Sequence, residues 1–142
     1  MKEIRVEAKT ENLDTVIAFL EEYLESLDAS PKAGMQLAVA LEEMYVNIAR
    51  YAYEGTELPE EKRLADIVLE TVGESEDKRL KITLTDWGIP YDPLEKEDPD
   101  TTLSAEERQI GGLGIFMVKK SMDALFYERQ GDRNVFVMEK KL

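Results

Sequence analysis

Three short stretches of this chain carry residue types and spacings that can do chemistry. Glu43 and Asn47 stand four residues apart, which makes them neighbours on one face of a helix. A carboxylate and an amide oxygen so placed can share a hydrated Mg2+ ion, or divide the work between general base and metal ligand. An ordinary polar helix face has the same spacing. The second stretch is Asp86-Trp87-Gly88-Ile89-Pro90-Tyr91-Asp92, where a strand ends in an acid and Gly88 and Pro90 redirect the chain. An aspartate held there can accept a hydrogen bond from an exocyclic amine, and the glycine lets a flat ring approach the backbone. A bend in which the Asp caps its own turn is the plainer alternative. The third is Gly111-Gly112-Leu113-Gly114, opening the run Ile115-Phe116-Met117-Val118. These glycines free the backbone to curve with its N–H groups inward, and the helix N-terminus beyond favours phosphate oxygens. Neither common phosphate-loop pattern is complete, because no Lys-Ser/Thr follows and Met117 stands where a third spaced glycine would. A flexible hinge would use the same residues.

Hydropathy patterning indicates the elements that must position these groups. Ile4, Val6 and Ala8 alternate with charged residues, the period of a half-buried strand. Leu13, Val16, Ile17, Leu20, Leu24 and Leu27 recur at helical spacing, with Asn12 placed to cap the start. Ser30-Pro31 opens a second helix running to about Tyr53. On it Leu37, Leu41, Met44, Ile48 and Ala52 form an apolar stripe, with Gln36, Glu43, Asn47 and Arg50 roughly opposite. Strands over Leu64–Val72 and Arg79–Thr85 follow as a hairpin. From about residue 93 to 110 the pattern gives way to a polar, mostly acidic segment, and a connection that long is usually functional, often a lid. A helix over Leu113–Ala124 and a hairpin of Leu125–Arg129 with Asn134–Glu139 close the chain. The order is not alternating strand and helix, so the expectation is a single domain over residues 1–142. It would be an α/β (α+β) two-layer sandwich, with a mixed, mostly antiparallel sheet and helices on one face. Taken along the chain, the parts would surround one magnesium-bound nucleotide: metal ligand, base reader, mobile cover and phosphate cradle.

Composition narrows the chemistry. Of 142 residues, 18 are Lys or Arg and 31 Asp or Glu, so the formal charge is −13. That field repels phosphate backbones and anionic lipid, so neither nucleic acid nor a membrane surface is expected as a partner. The chain has no Cys and no His, which removes disulfides, thiolate zinc sites, Ser-His-Asp chemistry and imidazole shuttles. A hard cation on oxygen ligands is what remains. The N-terminal residues lack the apolar run of a signal peptide, and a cytoplasmic, soluble protein is expected.

At these residues the chain resembles the GHKL ATPase superfamily, the Bergerat-fold group of histidine kinases, gyrase B and MutL. More closely it is similar to the anti-sigma regulatory factors with serine-protein kinase activity, the RsbW and SpoIIAB type. Leu41-Glu42-Glu43-Met44-Tyr45-Val46-Asn47 with Tyr51-Ala52-Tyr53 is similar to that family's N box. Asp86-x-Gly88-x-Pro90-Tyr91-Asp92 is similar to its G1 box, and Gly111 through Asp123 to its G2 box. The resemblance implies ATP bound through Mg2+, with Asn47 as metal ligand and Glu43 activating an incoming hydroxyl. It also implies Asp86 on the adenine amino group, Gly88, Ile89 and Pro90 about the ring, and Gly111, Gly112, Leu113 and Gly114 at the phosphates. Arg50 matches a basic phosphate contact of related kinases, while Tyr51 departs from the His frequent in the N box. The implied partners are a STAS-domain anti-anti-sigma factor as phosphoacceptor and a sigma factor as captive, with a homodimer possible. A nucleotide-gated binding module without phosphotransfer is the alternative.

Overall fold

The structure, a computed structural model, describes residues 1–95 and 112–142. Its strands are β1 (Lys2–Glu7), β2 (Leu64–Val72), β3 (Arg79–Asp86), β4 (Ala124–Gln130) and β5 (Arg133–Lys141). Its helices are α1 (Leu13–Glu25), α2 (Pro31–Asn47) and α3 (Gly112–Ser121). The strands form one sheet in the order β1-β2-β3-β5-β4. Among the described residues every pairing is antiparallel, so the expected mostly antiparallel sheet is observed, with no parallel pair among them. β2–β3 and β4–β5 are joined by turns, β1 reaches β2 through α1 and α2, and β5 pairs with β3 by lying between β3 and β4.

Strict alternation builds the inner face. On β3, Leu80, Ile82, Leu84 and Asp86 point inward and are buried, and on β5 Asn134, Phe136 and Met138 do the same. Val16 and Leu20 of α1 and Leu37, Leu41 and Met44 of α2 complete the core, with Val118 and Met122 from the α3 end. Ala52 of the expected stripe is buried too, whereas Ile48 is half-buried. The two-layer α+β arrangement with helices over one sheet face follows directly from this partition. No helix among the described residues is long and apolar enough to cross a membrane.

Local chemistry sets the element ends. Ser30 accepts the Ala33 N–H at 3.1 Å and Pro31 takes the first helical position, as the sequence predicts. Asn12 does not cap α1; its side-chain amide donates to the Glu7 carbonyl at 2.9 Å, and Thr10–Asn12 makes a single 3-10 turn instead. The second helix continues to Ala52, but its last turn, Ile48–Ala52, is a π turn that carries one extra residue. The fully buried Tyr45 pins α2 to the end of β1. Its hydroxyl lies 3.1 Å from the Glu7 carbonyl and 2.8 Å from that of Lys9, and accepts the Lys9 N–H at 3.3 Å. The last helix stops at Ser121, short of Ala124, because Asp123 already bonds to β5: its N–H reaches Glu139 at 2.9 Å, and its carboxylate accepts the Lys141 N–H at 2.5 Å. In the β4–β5 turn Gly131 has φ 62, a left-handed conformation that favours glycine.

Candidate functional site

Asp86 sits at the inner end of β3 with only 5% of its surface exposed. Burying a carboxylate is costly unless hydrogen bonds offset the lost water. Here Oδ1 accepts the Gly88 N–H at 2.9 Å and the Asn134 side-chain amide at 2.9 Å. Burial raises its pKa above the ordinary aspartate value, while those two bonds and the Arg129 guanidinium oppose the rise. Among the described residues no hydrogen bond falls on Oδ2. Asp86 also lines a cleft, where a carboxylate oxygen without a protein partner can accept from a ligand donor.

Asn134, directly across the ladder from Asp86, ties this corner together. Its amide also donates to the Ile89 carbonyl at 2.8 Å, and its carbonyl oxygen accepts the Tyr127 hydroxyl at 2.6 Å and the Tyr91 N–H at 3.3 Å. Arg129 donates to the Gly88 carbonyl at 2.8 Å. Gly88 is buried against the end of the second helix, where a β-carbon would strike the Ala52 carbonyl, and the Ile89 N–H donates to that carbonyl at 2.8 Å. What demands glycine at position 88 is therefore protein packing, where the sequence suggested room for a ring. Tyr53 completes the join: its hydroxyl accepts the Trp87 N–H at 2.9 Å and donates to the Leu64 carbonyl. Burial pushes the pKa of Tyr53 up to about 12.

Glu43 and Asn47 lie on α2, both half-buried and both on the wall of the same cleft. The Glu43 carboxylate meets α3 at Gly114, where its Cδ is 2.6 Å from the position a β-carbon would take. Gly112 and Leu113 form the start of α3 ahead of Gly114, and Gly111 lies outside the described residues. So does the expected lid, apart from Pro93–Glu95, a 3-10 turn whose Leu94 N–H is held by Asp92 at 2.8 Å.

The cleft holds about 830 Å3, a size that suits a nucleotide-sized ligand. Its floor is apolar at Leu84 and Phe136, and its rim carries the half-exposed Tyr51, Ile89 and Tyr91. Arg50 reaches the same cleft from the π turn and also borders a second cavity of about 480 Å3. Pro90 is exposed and, among the described residues, lies off the lining. The structure thus gathers Glu43, Asn47, Arg50, Asp86 and Ile89 around one space.

The chemistry of this donor set fits a magnesium-bound nucleotide. A buried acceptor at one end suits an exocyclic amine. Glu43 and Asn47 offer two side-chain oxygens, and Mg2+ commonly takes one or two from protein, with phosphate and water filling the rest.

The sequence did not single out Asn134, Tyr127 or Arg129, and it named Tyr53 only within the N-box likeness. Asn134 left one trace, the inward phase it shares with Phe136 and Met138, where a polar residue must find partners.

Comparison with known proteins bears on the fold. Structural neighbours include the RsbU and RsbW domains of Rv1364c from Mycobacterium tuberculosis. That match has a TM-score of 0.62 and 13% identity, over all of this chain and 33% of that one. The SiaB-SiaC complex from Pseudomonas aeruginosa matches with a TM-score of 0.62 and 16% identity, over all of this chain and 90% of that one. The histidine kinase domain of the blue-light activated kinase EL346 from Erythrobacter litoralis matches at 0.53 and 14%, over 92% of this chain and 59% of that one. At such identities these likenesses show the fold. No curated protein matches the sequence. The family model of the histidine kinase-like ATPase domain matches residues 6–140, nearly the full length. The chain belongs to the histidine kinase-like ATPase domain family, and that membership implies ATP binding.

Proposed function

We propose that this protein is an ATP-dependent protein-serine kinase of the partner-switching kind. It phosphorylates a STAS-domain anti-anti-sigma factor and sequesters a sigma factor, and so regulates transcription. The observation that carries this is the placement of Glu43: its carboxylate lies at the start of α3, and Glu43 lines the cleft that Asp86 also lines. A module that only bound nucleotide would need no general base there. The likeness to a structure containing an RsbW domain, and to one solved as a SiaB-SiaC complex, supports a protein partner.

When bound, magnesium-ATP supplies the phosphoryl group and the charge neutralisation on which phosphoryl transfer depends. The protein's residues do the positioning. Asp86 accepts the adenine amino group at its open oxygen, and the apolar floor at Leu84 and Phe136 excludes water from the ring. Asn47 offers its amide oxygen to the cation, and Arg50 stands close enough to the cleft to answer phosphate charge. Glu43 takes the proton of an incoming serine hydroxyl as that oxygen bonds to phosphorus and ADP leaves.

The test is incubation with labelled ATP, Mg2+ and a STAS-domain antagonist. Phosphoserine on the antagonist, lost in Glu43→Gln, is the expected result. Tight ATP binding with no transfer to any antagonist would leave a nucleotide-gated binding module instead.

A further inference from the structure

We infer that the second cavity, beside the end of the second helix, is a binding site for a free amino acid in its zwitterionic form. Arg50 and Arg63 would take its carboxylate, and Glu7 and Glu54 its ammonium group. These four residues line one space of about 480 Å3, walled by the end of β1, the π turn and the approach to β2. Where reach allows, unlike charges on this wall do pair: Lys9 Nζ lies 3.6 Å from a Glu60 carboxylate oxygen. Among the described residues, by contrast, no ion pair joins Arg50 or Arg63 to Glu7 or Glu54. Arg63 donates from Nε to the Leu58 carbonyl at 2.7 Å, which anchors its guanidinium and leaves the remaining N–H groups to donate elsewhere. Arg50 has neither a hydrogen bond nor an ion pair among the described residues. Two cations and two anions thus border one space without neutralising one another.

A ligand of single sign fits this wall poorly. An anion drawn to the guanidiniums meets Glu7 and Glu54, and a cation drawn to the acids meets the arginines. The formal charge of −13 also repels anions at a distance, whereas a ligand of no net charge escapes that field. An amino acid carries both signs, and its carboxylate matches the planar fork of an arginine. Arg50 and Glu54 are exposed, and an ion pair open to water is worth little alone, so affinity requires both signs to be engaged together. Ala8, Ala49 and Tyr53 form the less polar part of the wall; the Tyr53 hydroxyl is committed to Trp87 and Leu64, which leaves its ring for a ligand side chain. The volume is within the usual range for small-molecule sites. Arg50 and Glu54 line the main cleft as well, so whichever space engages Arg50 changes what the other meets. On the reading of that cleft as a nucleotide site, a bound amino acid draws Arg50 from the phosphates and weakens nucleotide binding, and the nucleotide weakens amino acid binding by the same factor.

The experiment begins with thermal melts of the wild-type protein, without nucleotide, in the presence of each protein amino acid in turn. At least one should raise the melting temperature progressively with its concentration. For the strongest, calorimetry compares the amino acid with its N-acetyl derivative, which keeps only the α-carboxylate, and its amide, which keeps only the α-ammonium group. Each derivative should bind about tenfold more weakly or worse. Arg63→Gln should weaken the amino acid about tenfold and leave the amide unchanged, whereas Glu54→Gln should weaken it equally and leave the N-acetyl derivative unchanged. Should one variant fail to fold, the other carries the same charge-matched comparison. No shift with any amino acid, a derivative that binds as tightly as its parent, or a folded variant that weakens both derivatives alike overturns the inference. Saturating amino acid should also lower magnesium-ATP affinity by about fivefold or more, and an unchanged affinity overturns the link through Arg50. Failure of the wild type to bind nucleotide is a different result: it removes the cleft's assignment and leaves the amino acid measurements to decide this site.

Discussion

The carboxylate of Glu43 on α2 occupies the space that a side chain at Gly114 on α3 would need. An added β-carbon would meet the outer carboxylate oxygen, with Cδ 2.6 Å and the other oxygen 3.2 Å away. The obstructing group is the end of a flexible side chain, so relief is cheap in stability and costly in position. Gly114→Ala should leave the melting temperature the same or slightly higher, since alanine favours a helix by about 0.5–1 kcal/mol over glycine. Phosphotransfer should fall about a hundredfold, as misplacement of a catalytic group by about 1 Å can do. Thermal melts and single-turnover transfer on the same preparation check both halves; a stable variant with full activity would show that Glu43 need not stand where it does.

Glu43→Gln keeps shape and removes the proton acceptor. Nucleotide affinity should stay within about twofold, while transfer to the antagonist falls by about 10^2 to 10^4, the usual contribution of a general base. Calorimetry beside a phosphotransfer time course separates the two quantities. Parallel loss of both would make Glu43 a binding residue instead.

Asp86 trades stability for recognition. Its pKa is raised in the folded protein by burial, so the native state holds its proton to higher pH than the unfolded chain. The contribution to stability is then fully present below the unfolded value and is lost as pH rises through the folded one. Asp86→Asn keeps an acceptor for Gly88 and Asn134 without the charge. It should therefore melt at the same or a higher temperature than wild type at neutral pH, with the advantage shrinking on acidification into the carboxylate range. Binding of ATP should fall at least tenfold. Melting curves across that pH range decide the matter, and an advantage that grew on acidification would contradict it.

Tyr53 holds two strands and a helix end through one hydroxyl. Tyr53→Phe strands the Trp87 N–H and the Leu64 carbonyl, and removing the shared hydroxyl should cost at least about 1–3 kcal/mol, the penalty of one unpaired buried group. Denaturant unfolding should register a loss of at least that size, and no loss would mean that water replaces the hydroxyl. In wild type the raised pKa means that this tyrosine's contribution persists below the unfolded tyrosine value and fades as pH climbs through about 12.

Saturating magnesium-ATP should raise stability, by about 2.7 kcal/mol at a hundred times the dissociation constant. Chelation of Mg2+ by EDTA should remove most of the gain if Asn47 and the phosphates hold a cation together. A melting curve indifferent to nucleotide would refute the cleft's assignment.

Local periodicity determined much of this molecule. The alternation through Leu80, Ile82 and Leu84, the 3.6-residue recurrence of Leu37, Leu41 and Met44, and the capping pair Ser30-Pro31 all read correctly from residue order alone. Those signals are short-range, because a strand or helix exposes its phase within a few residues. The places of Glu43, Asn47 and Asp86 on their elements were legible for the same reason: each sits at a definite phase or end of an element. The tertiary structure decided what those residues meet. Asn134 lies 48 positions from Asp86 and becomes its partner only through strand register, which no local pattern encodes. Likewise Gly114 lies against Glu43 because α3 docks on α2, and Gly88 is glycine because the end of the second helix comes within contact of it. Close approach between distant segments is set by how whole elements pack, so the exact shape of the cleft belongs to the fold even where its residues could be named beforehand.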